Sequence, residues 1–341
     1  MSSRYFESHK FENLRGPGDA RPTALQIIQD ENRSNDLTGK VVIITGTSSG
    51  IGITTAQAMA TTGATIYCTA RDLGKASSAL GSLLDSPKVH LLQMDLTSLS
   101  SVKAFADEIK RRETRVNILI NNAGVMFIPT HTKTADGFEM HIGVNHLAHF
   151  YLFHQLKDLL LAGSTPDFHS RVVNVSSSGH RACPAQLDDI NLTKGDYSPL
   201  TAYGSSKTAN IWMANQIERV YGSKGLHGYS LMPGGIRTGL QKHMEEQMAK
   251  FMESSELVRN WMKSPEQGAA TNVFAAVARD LEAKGGVYLE NCQVAPRVTE
   301  GLGEMGDSSM LEYGHAEWAY DQEGEARLWK LSLDMVGLRE D

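Results

Sequence analysis

Apolar positions along this chain follow two alternating patterns. Short runs rich in valine, isoleucine and leucine stand at 41–45 (VVIIT), 64–70 (ATIYCTA), 88–94 (KVHLLQM), 116–120 (VNILI), 171–175 (RVVNV), 226–232 (LHGYSLM) and 285–289 (GGVYL), separated by longer amphipathic stretches. Strands apolar on both faces, each followed by a helix long enough to cross back, predict a parallel sheet covered on both sides. The pattern thus predicts one doubly wound α/β domain with about seven strands and helices on both faces.

The pattern weakens at three places. Residues 1–36 carry only Thr23–Gln29 as one or two possible helical turns, and they predict an arm lying on a main domain of residues 37–300. Within that domain, residues 240–263 leave the strand–helix rhythm. Met244, Met248, Phe251, Met252, Trp261 and Met262 fall near helical spacing there, which predicts an inserted helical flap. Residues 301–341 are read as an extension packed on the same domain.

Composition narrows the function classes. With 41% hydrophobic residues among 341, the chain can close a full-sized core. A net charge of -6 with both signs interspersed leaves no basic stripe for a nucleic-acid backbone. Cys68, Cys183 and Cys292 stand far apart in no paired motif, which suits a reducing compartment. No apolar run approaches the ~18 residues of a membrane span, and the polar start of the chain lacks a signal-peptide core. The expectation is a cytoplasmic protein with no membrane span and no nucleic-acid partner.

Candidate chemistry begins directly after the first apolar run. Gly46, Thr47, Ser48, Ser49, Gly50, Ile51 and Gly52 sit between a predicted strand and a predicted helix. A backbone that must pass close to a pyrophosphate needs residues without Cβ, and the following helix start directs unpaired N–H groups at the anion. The placement predicts the nucleotide turn of a Rossmann-type domain, the alternative being a tight strand-to-helix turn with no ligand. At the end of the second strand, where an acidic residue would hold the ribose hydroxyls, stand Ala70 and then Arg71. A guanidinium in place of a carboxylate favours a 2′-phosphate, hence NADP(H) over NAD(H), the alternative being that Arg71 merely begins the next helix beside Asp72. Asp95 and Leu96, ending the third strand, are placed beside the adenine; Asp95 is alternatively a helix N-cap.

Tyr203 and Lys207 open a further amphipathic stretch at i and i+4, on one helical face and ~5–6 Å apart at Cβ. A neighbouring ammonium stabilises a phenolate and should draw the phenol from near ~10 toward working pH. Tyr203 can then protonate a carbonyl oxygen as hydride arrives at carbon. Ser176 and Ser177 end the fifth apolar run, on the edge where open α/β sheets bind ligands, and a serine there can hold the substrate oxygen.

With TGTSSGIG (45–52), Asp95, Asn121–Gly124, Val144-Asn145-His146, NVSS (174–177), YGSSK (203–207), Pro233-Gly234 and Thr238 in order, the chain resembles the short-chain dehydrogenase/reductase family from about Leu37 to Gly235. The resemblance implies a tetrad of Asn145, Ser177, Tyr203 and Lys207, with Ser176 and Ser178 close enough that the register needs a test. It implies that Lys207 and Tyr203 also touch the cofactor and that Asn145 positions a water relaying protons to Lys207. Asn122, Ala123 and Gly124 would border the cofactor, and Pro233, Gly234, Ile236 and Thr238 its nicotinamide end. A homodimer through the helices beginning near Phe138 and Tyr203 is also implied. Asp136–Glu139 and GVNHLAHF (143–150) resemble the retinol dehydrogenase-like branch, and 285–292 resembles fungal members, many of which serve secondary metabolism. An apolar N-terminal anchor is lacking, so membrane residence is not carried over.

Rival readings exist. Gly46 to Gly50 also spell the G-x-S-x-G elbow of a serine hydrolase, with Ser48 as nucleophile, but that leaves YGSSK and NVSS unexplained. His141, His146, His149 and His154 crowd one segment without metal-ligand spacing, so packing histidines and no metal are expected. The flap reads equally as core or as a lid over a hydrophobic substrate, and the segment 178–202, with Pro184, Leu187 and Tyr197, reads as the opposite wall or as a solvent loop. The reading is an NADP(H)-dependent oxidoreductase of a hydrophobic carbonyl or alcohol. The alternatives are the same scaffold acting on a conjugated C=C bond or as an isomerase or cyclase, and a non-enzymatic cofactor sensor.

Overall fold

The seven apolar runs become seven parallel strands: β1 (Val41–Thr45), β2 (Thr65–Ala70), β3 (Val89–Gln93), β4 (Ile118–Asn121), β5 (Ser170–Val175), β6 (Leu226–Met232) and β7 (Val287–Glu290). A computed structural model, which describes residues 4–298 and 311–339, orders them β3-β2-β1-β4-β5-β6-β7 and adds an eighth strand, β8 (Gln293–Val294). That strand pairs antiparallel with β7 and corrects the expected count of seven. Its two residues are too short to carry a periodicity, and the reversal rests on left-handed Asn291 and Cys292 (φ 55° and 57°).

Alternation along each strand feeds two layers. Val42 and Ile44 of β1 face a core with α1 (Ala24–Asp30), α2 (Ile51–Ala60) and the later α10 (Ala270–Val277). Val41 and Ile43 face the other core, shared with α4 (Leu99–Arg112), α5 (Ala148–Gly163) and α6 (Pro199–Tyr221). Ile43 and Ile44 are both 0% exposed, so cutting either to alanine should cost roughly 2–5 kcal/mol. The remaining helices are α3 (Leu73–Leu80), α7 (Glu245–Ser254), α8 (Glu256–Trp261), α9 (Pro265–Gly268) and α11 (Gln322–Met335).

Both ends of the chain are built into these layers. Tyr5, Ala24, Ile27 and Ile28 of the arm join the core of α2 and α10. Helix α11 lies across α5 and α6, with Trp329 edge-on to Phe150 at 5.0 Å and Ser332 hydrogen-bonded to His146 Nε2 at 2.8 Å. This is the surface that the resemblance assigned to a homodimer. Among the described residues no helix is long and apolar enough to cross a membrane.

The order β3-β2-β1-β4 reverses direction between β1 and β4. Connections leave those two strands toward opposite faces, so a crevice opens at their carboxyl ends.

Candidate active site

A cleft of about 500 Å³ occupies that crevice. Its floor is the turn after β1, which the chain can make because Gly46 is left-handed (φ 77°) and approaches Ala123 so closely that a Cβ would lie 2.8 Å away. Gly52 is equally constrained, since a Cβ there would stand 2.3 Å from the Gly46 carbonyl oxygen. Ser48, Ser49, Gly50 and Ile51 line the cleft at the start of α2. Thr45 Oγ1 accepts from the Asn122 and Ala123 N–H groups at 2.9 Å each, and the Asn122 amide donates back to the Thr45 carbonyl at 2.8 Å. The two strand ends flanking the crevice are thereby tied together.

Arg71 lines the far end of the cleft, and Lys75 stands with it on the first turn of α3. Sequence reasoning found Arg71 and missed Lys75, although i,i+4 spacing from a recognised cation was the available signal. Thr47, Gly52, Asp95 and Leu96 do not line the cleft. Thr47 is buried and donates to the Thr69 carbonyl at 3.2 Å. Asp95 Oδ1 accepts from Thr97 N and Oγ1 at 2.9 and 2.8 Å, closing the turn ahead of α4, whose N-cap is Ser98. Leu96 packs against the core beneath.

At the other end, Ser177, Tyr203 and Lys207 line the cleft together. Ser198 caps α6 by accepting from Thr201 N at 3.2 Å and Pro199 occupies its first turn, so Tyr203 and Lys207 emerge from the opening of the helix. Ser176 and Ser177 both follow β5 and line the cleft, and their burial and hydrogen bonds set them apart. Ser176 is 2% exposed and donates to the Lys207 carbonyl at 2.8 Å, whereas half-buried Ser177 hydrogen-bonds Tyr203 and accepts from Gly179 N at 3.1 Å.

The electrostatics differ from the expected pairing. Lys207 Nζ lies 5.6 Å from the Tyr203 ring centroid and donates to the Val175 carbonyl at 3.0 Å. Burial pushes the Tyr203 phenol up to about 12, against a smaller lowering by the Ser177 hydrogen bond. Burial likewise brings Lys207 down to about 8. Both shifts come from desolvation, which disfavours the charged form of each group.

Asn145 sits in a π-helical turn (Ile142–Leu147) at the head of α5, buried behind the cleft wall. Its amide accepts from Val125 N at 2.8 Å and donates to the Val125 carbonyl at 3.0 Å and to Ser206 Oγ at 2.9 Å. His149 donates from Nδ1 to the Asn145 carbonyl at 3.0 Å and accepts the Thr45 hydroxyl at Nε2 (2.9 Å), a neutral tautomer that burial enforces by lowering its pKa to about 4. His141 donates from Nδ1 to Glu139 at 2.8 Å and accepts from Ile128 N at 3.2 Å. These histidines hold backbone; among the described residues no group of three or more potential ligands could hold a metal ion.

The apolar walls are partly those expected. Pro233, Gly234, Ile236 and Thr238 line one side, followed by Leu240, Met244, Phe251, Trp261 and Met262 from the flap. The side chains of Met248 and Met252 lie outside the described residues. Of the 178–202 segment, Ser178, Gly179 and Leu200 line the cleft, whereas Pro184, Leu187 and Tyr197 do not. Leu187 packs into the α5/α6 core and Tyr197 donates to Glu139 at 2.9 Å. Val125 to Ile128 complete the opposite wall, with left-handed Phe127 (φ 51°) placing its ring 5.4 Å from Tyr203. Backbone conformation, which no local pattern announced, decides it. Ser48 makes no hydrogen bond to a described histidine, and the hydrolase reading fails on that.

The cleft fits a dinucleotide on this geometry. A Cβ at Gly124 would fall 3.1 Å from Asn145 Oδ1 and 3.4 Å from Lys207 Nζ, and one at Gly50 would meet Thr238 at 3.2 Å, so bare backbone forms its cradle. Arg71 and Lys75 supply positive charge at one end and Tyr203 an acid at the other.

Comparison with known proteins gives a consistent result. Residues 40–249 match the family model described as short chain dehydrogenase. The chain is 49% identical over 330 residues to the short-chain dehydrogenase/reductase prx1 of Penicillium roqueforti, covering 97% of this chain and 94% of that one. It is 35% identical over 308 residues to mouse (Mus musculus) retinol dehydrogenase 11, covering 89% of each. The fold is shared with the Pseudomonas aeruginosa RhlG/NADP active-site complex, with TM-score 0.61, 22% identity, and 76% and 96% of the two chains covered.

Proposed function

The chain belongs to the short-chain dehydrogenase family and is an oxidoreductase using a nicotinamide cofactor, and from that premise we propose that it interconverts a carbonyl and an alcohol on a hydrophobic small molecule with NADP(H). The observation that carries this reading is the meeting of Ser177, Tyr203 and Lys207 at one end of a cleft whose other end holds Arg71 and Lys75.

In this reading the Gly46–Ile51 turn and the start of α2 hold the pyrophosphate, with Thr47 and Gly52 fixing the turn. Arg71 and Lys75 pair with the 2′-phosphate, Asn122 to Gly124 border the cofactor, and Asp95 and Leu96 shape the adenine side from beneath. Lys207 holds the nicotinamide ribose, and Pro233, Gly234, Ile236 and Thr238 the nicotinamide. Bound there, the cofactor supplies or accepts the hydride.

The chain supplies the proton and the orientation. Ser177 Oγ donates to the substrate oxygen, and Tyr203, held protonated by burial, gives its proton to that oxygen as the C=O electron pair localises on it. The Lys207 ammonium stabilises the phenolate that results, and Asn145 positions a water that relays the replacing proton to Lys207. The apolar walls of Phe127, Ile128, Met244, Phe251 and Trp261 select a hydrophobic substrate and exclude water. Because α11 covers the α5/α6 surface, the protein works as a monomer or pairs through another face.

The test is Tyr203→Phe. The variant should lose turnover of a hydrophobic carbonyl while its NADPH affinity, by fluorescence titration, stays at the wild-type value. Full activity of the variant overturns the assignment. Deuterium from labelled NADPH appearing at an olefinic carbon instead of the carbinol carbon transfers the reading to C=C reduction.

A further inference from the structure

The arm before β1 does more than cover the sheet. Arg21 is 2% exposed, and its guanidinium donates from Nη1 to the Trp261 carbonyl at 2.7 Å and from Nη2 to those of Met262 (2.7 Å), Asn260 (3.1 Å) and Gly16 (3.2 Å). Its Nε donates to Asp19 Oδ1 at 2.8 Å, with both side chains buried. Gln267, also buried, donates to the Asp19 and Arg21 carbonyls at 3.1 and 3.2 Å and accepts from Gly18 N at 2.9 Å.

Three of the four carbonyls that Arg21 takes are those that end α8. The last carbonyls of a helix lack partners within it and carry the negative end of its dipole, so a cation with several donors is the complementary cap. Here the cap comes from a segment some 240 residues earlier (|i−j| 239 to 241). What it fixes is the cleft. Trp261 and Met262 line the cavity, and a Cβ on Gly235 would lie 2.0 Å from Trp261 Cζ3, so the indole is seated on bare backbone. The next residue joins the loop after β6, with Lys263 N donating to the Gly235 carbonyl at 2.8 Å.

We infer that Arg21 is a positioning residue for the substrate pocket: it clamps the carboxyl end of the flap and thereby sets Trp261 against the substrate. The arm is therefore part of the pocket's construction, acting on substrate fit and leaving the cofactor end alone. This rests on the proposed carbonyl reaction for its kinetic consequence, and on geometry alone for the clamp.

Two variants in the full chain test it, Arg21→Ala and the conservative Arg21→Lys. Trypsin sites at Lys242, Lys250 and Arg259 are exposed on the flap, so the rate of cleavage there reads the clamp without catalysis. Arg21→Ala should be cut ~10-fold faster, and methylguanidine should slow the cutting by refilling the site; Arg21→Lys should fall between. The KM for a hydrophobic carbonyl should rise ~10-fold in Arg21→Ala, with NADPH affinity changed by less than about twofold. Unchanged cleavage overturns the clamp. Faster cleavage with unchanged KM overturns its role in the pocket, as does an equal loss of NADPH and substrate affinity. Absence of wild-type turnover on any carbonyl overturns the proposed reaction instead, and the proteolysis still decides whether Arg21 holds the flap.

Discussion

Ser176 and Ser177 are chemically identical neighbours, and the structure predicts opposite consequences for removing them. In Ser177→Ala the site loses a donor aimed at an oxygen that gains negative charge, a loss worth ~10²–10³ in kcat, or about 2.7–4 kcal/mol. Its contact with Gly179 N caps a short helical turn at a half-buried position, so stability should fall by only ~1 kcal/mol. Ser176→Ala removes a buried hydrogen bond to the Lys207 carbonyl, which costs roughly 1–3 kcal/mol of stability and nothing in the transition state. Both variants should thus melt a few degrees lower, at ~2–4 °C per kcal/mol, while only one stops working. The assay is loss of reduced-nicotinamide absorbance with a hydrophobic ketone, run beside thermal unfolding of each variant. If Ser176→Ala loses turnover ~100-fold at an unchanged melting temperature while Ser177→Ala keeps it, the burial argument that separates them is wrong.

Three further outcomes follow from the same geometry. Arg71→Ala and Lys75→Ala should each raise the KM for NADPH ~10-fold, since a hydrogen bond to a charged group is worth ~1.5–3 kcal/mol, and should leave the KM for NADH unchanged; an equal effect on both cofactors removes the phosphate argument. Burial lowers Lys207 to about 8, so its ammonium is present below that pH and lost above it. Carbonyl reduction measured as kcat/KM should therefore hold level up to pH about 8 and then fall, and a profile that rises through that range contradicts the assignment. Trp329→Ala should loosen α11, costing ~3–5 kcal/mol, and light scattering should then show self-association through the uncovered α5/α6 face, with a wild-type chain that does not pair there; a wild-type dimer crosslinked through that face refutes the covering role.

Much of the molecule is legible in its sequence because much of its chemistry is local. Two-sided apolar runs gave parallel strands, the glycine turn announced itself between strand and helix, and Tyr203 and Lys207 share a face through helical spacing alone. Ser177 was legible only to within one residue, because what sets Ser176 apart is a hydrogen bond to the Lys207 carbonyl, a partner 31 residues further along the chain. The tertiary structure decided everything that depends on distant segments meeting. Val125 to Ile128 became a wall, Arg21 reached the end of α8, and α11 covered a helix face through contacts between residues far apart in the chain. Burial is likewise a property of the assembled fold: an ammonium near a phenol is legible in the sequence, but the surroundings that desolvate both exist only once the chain has closed around them.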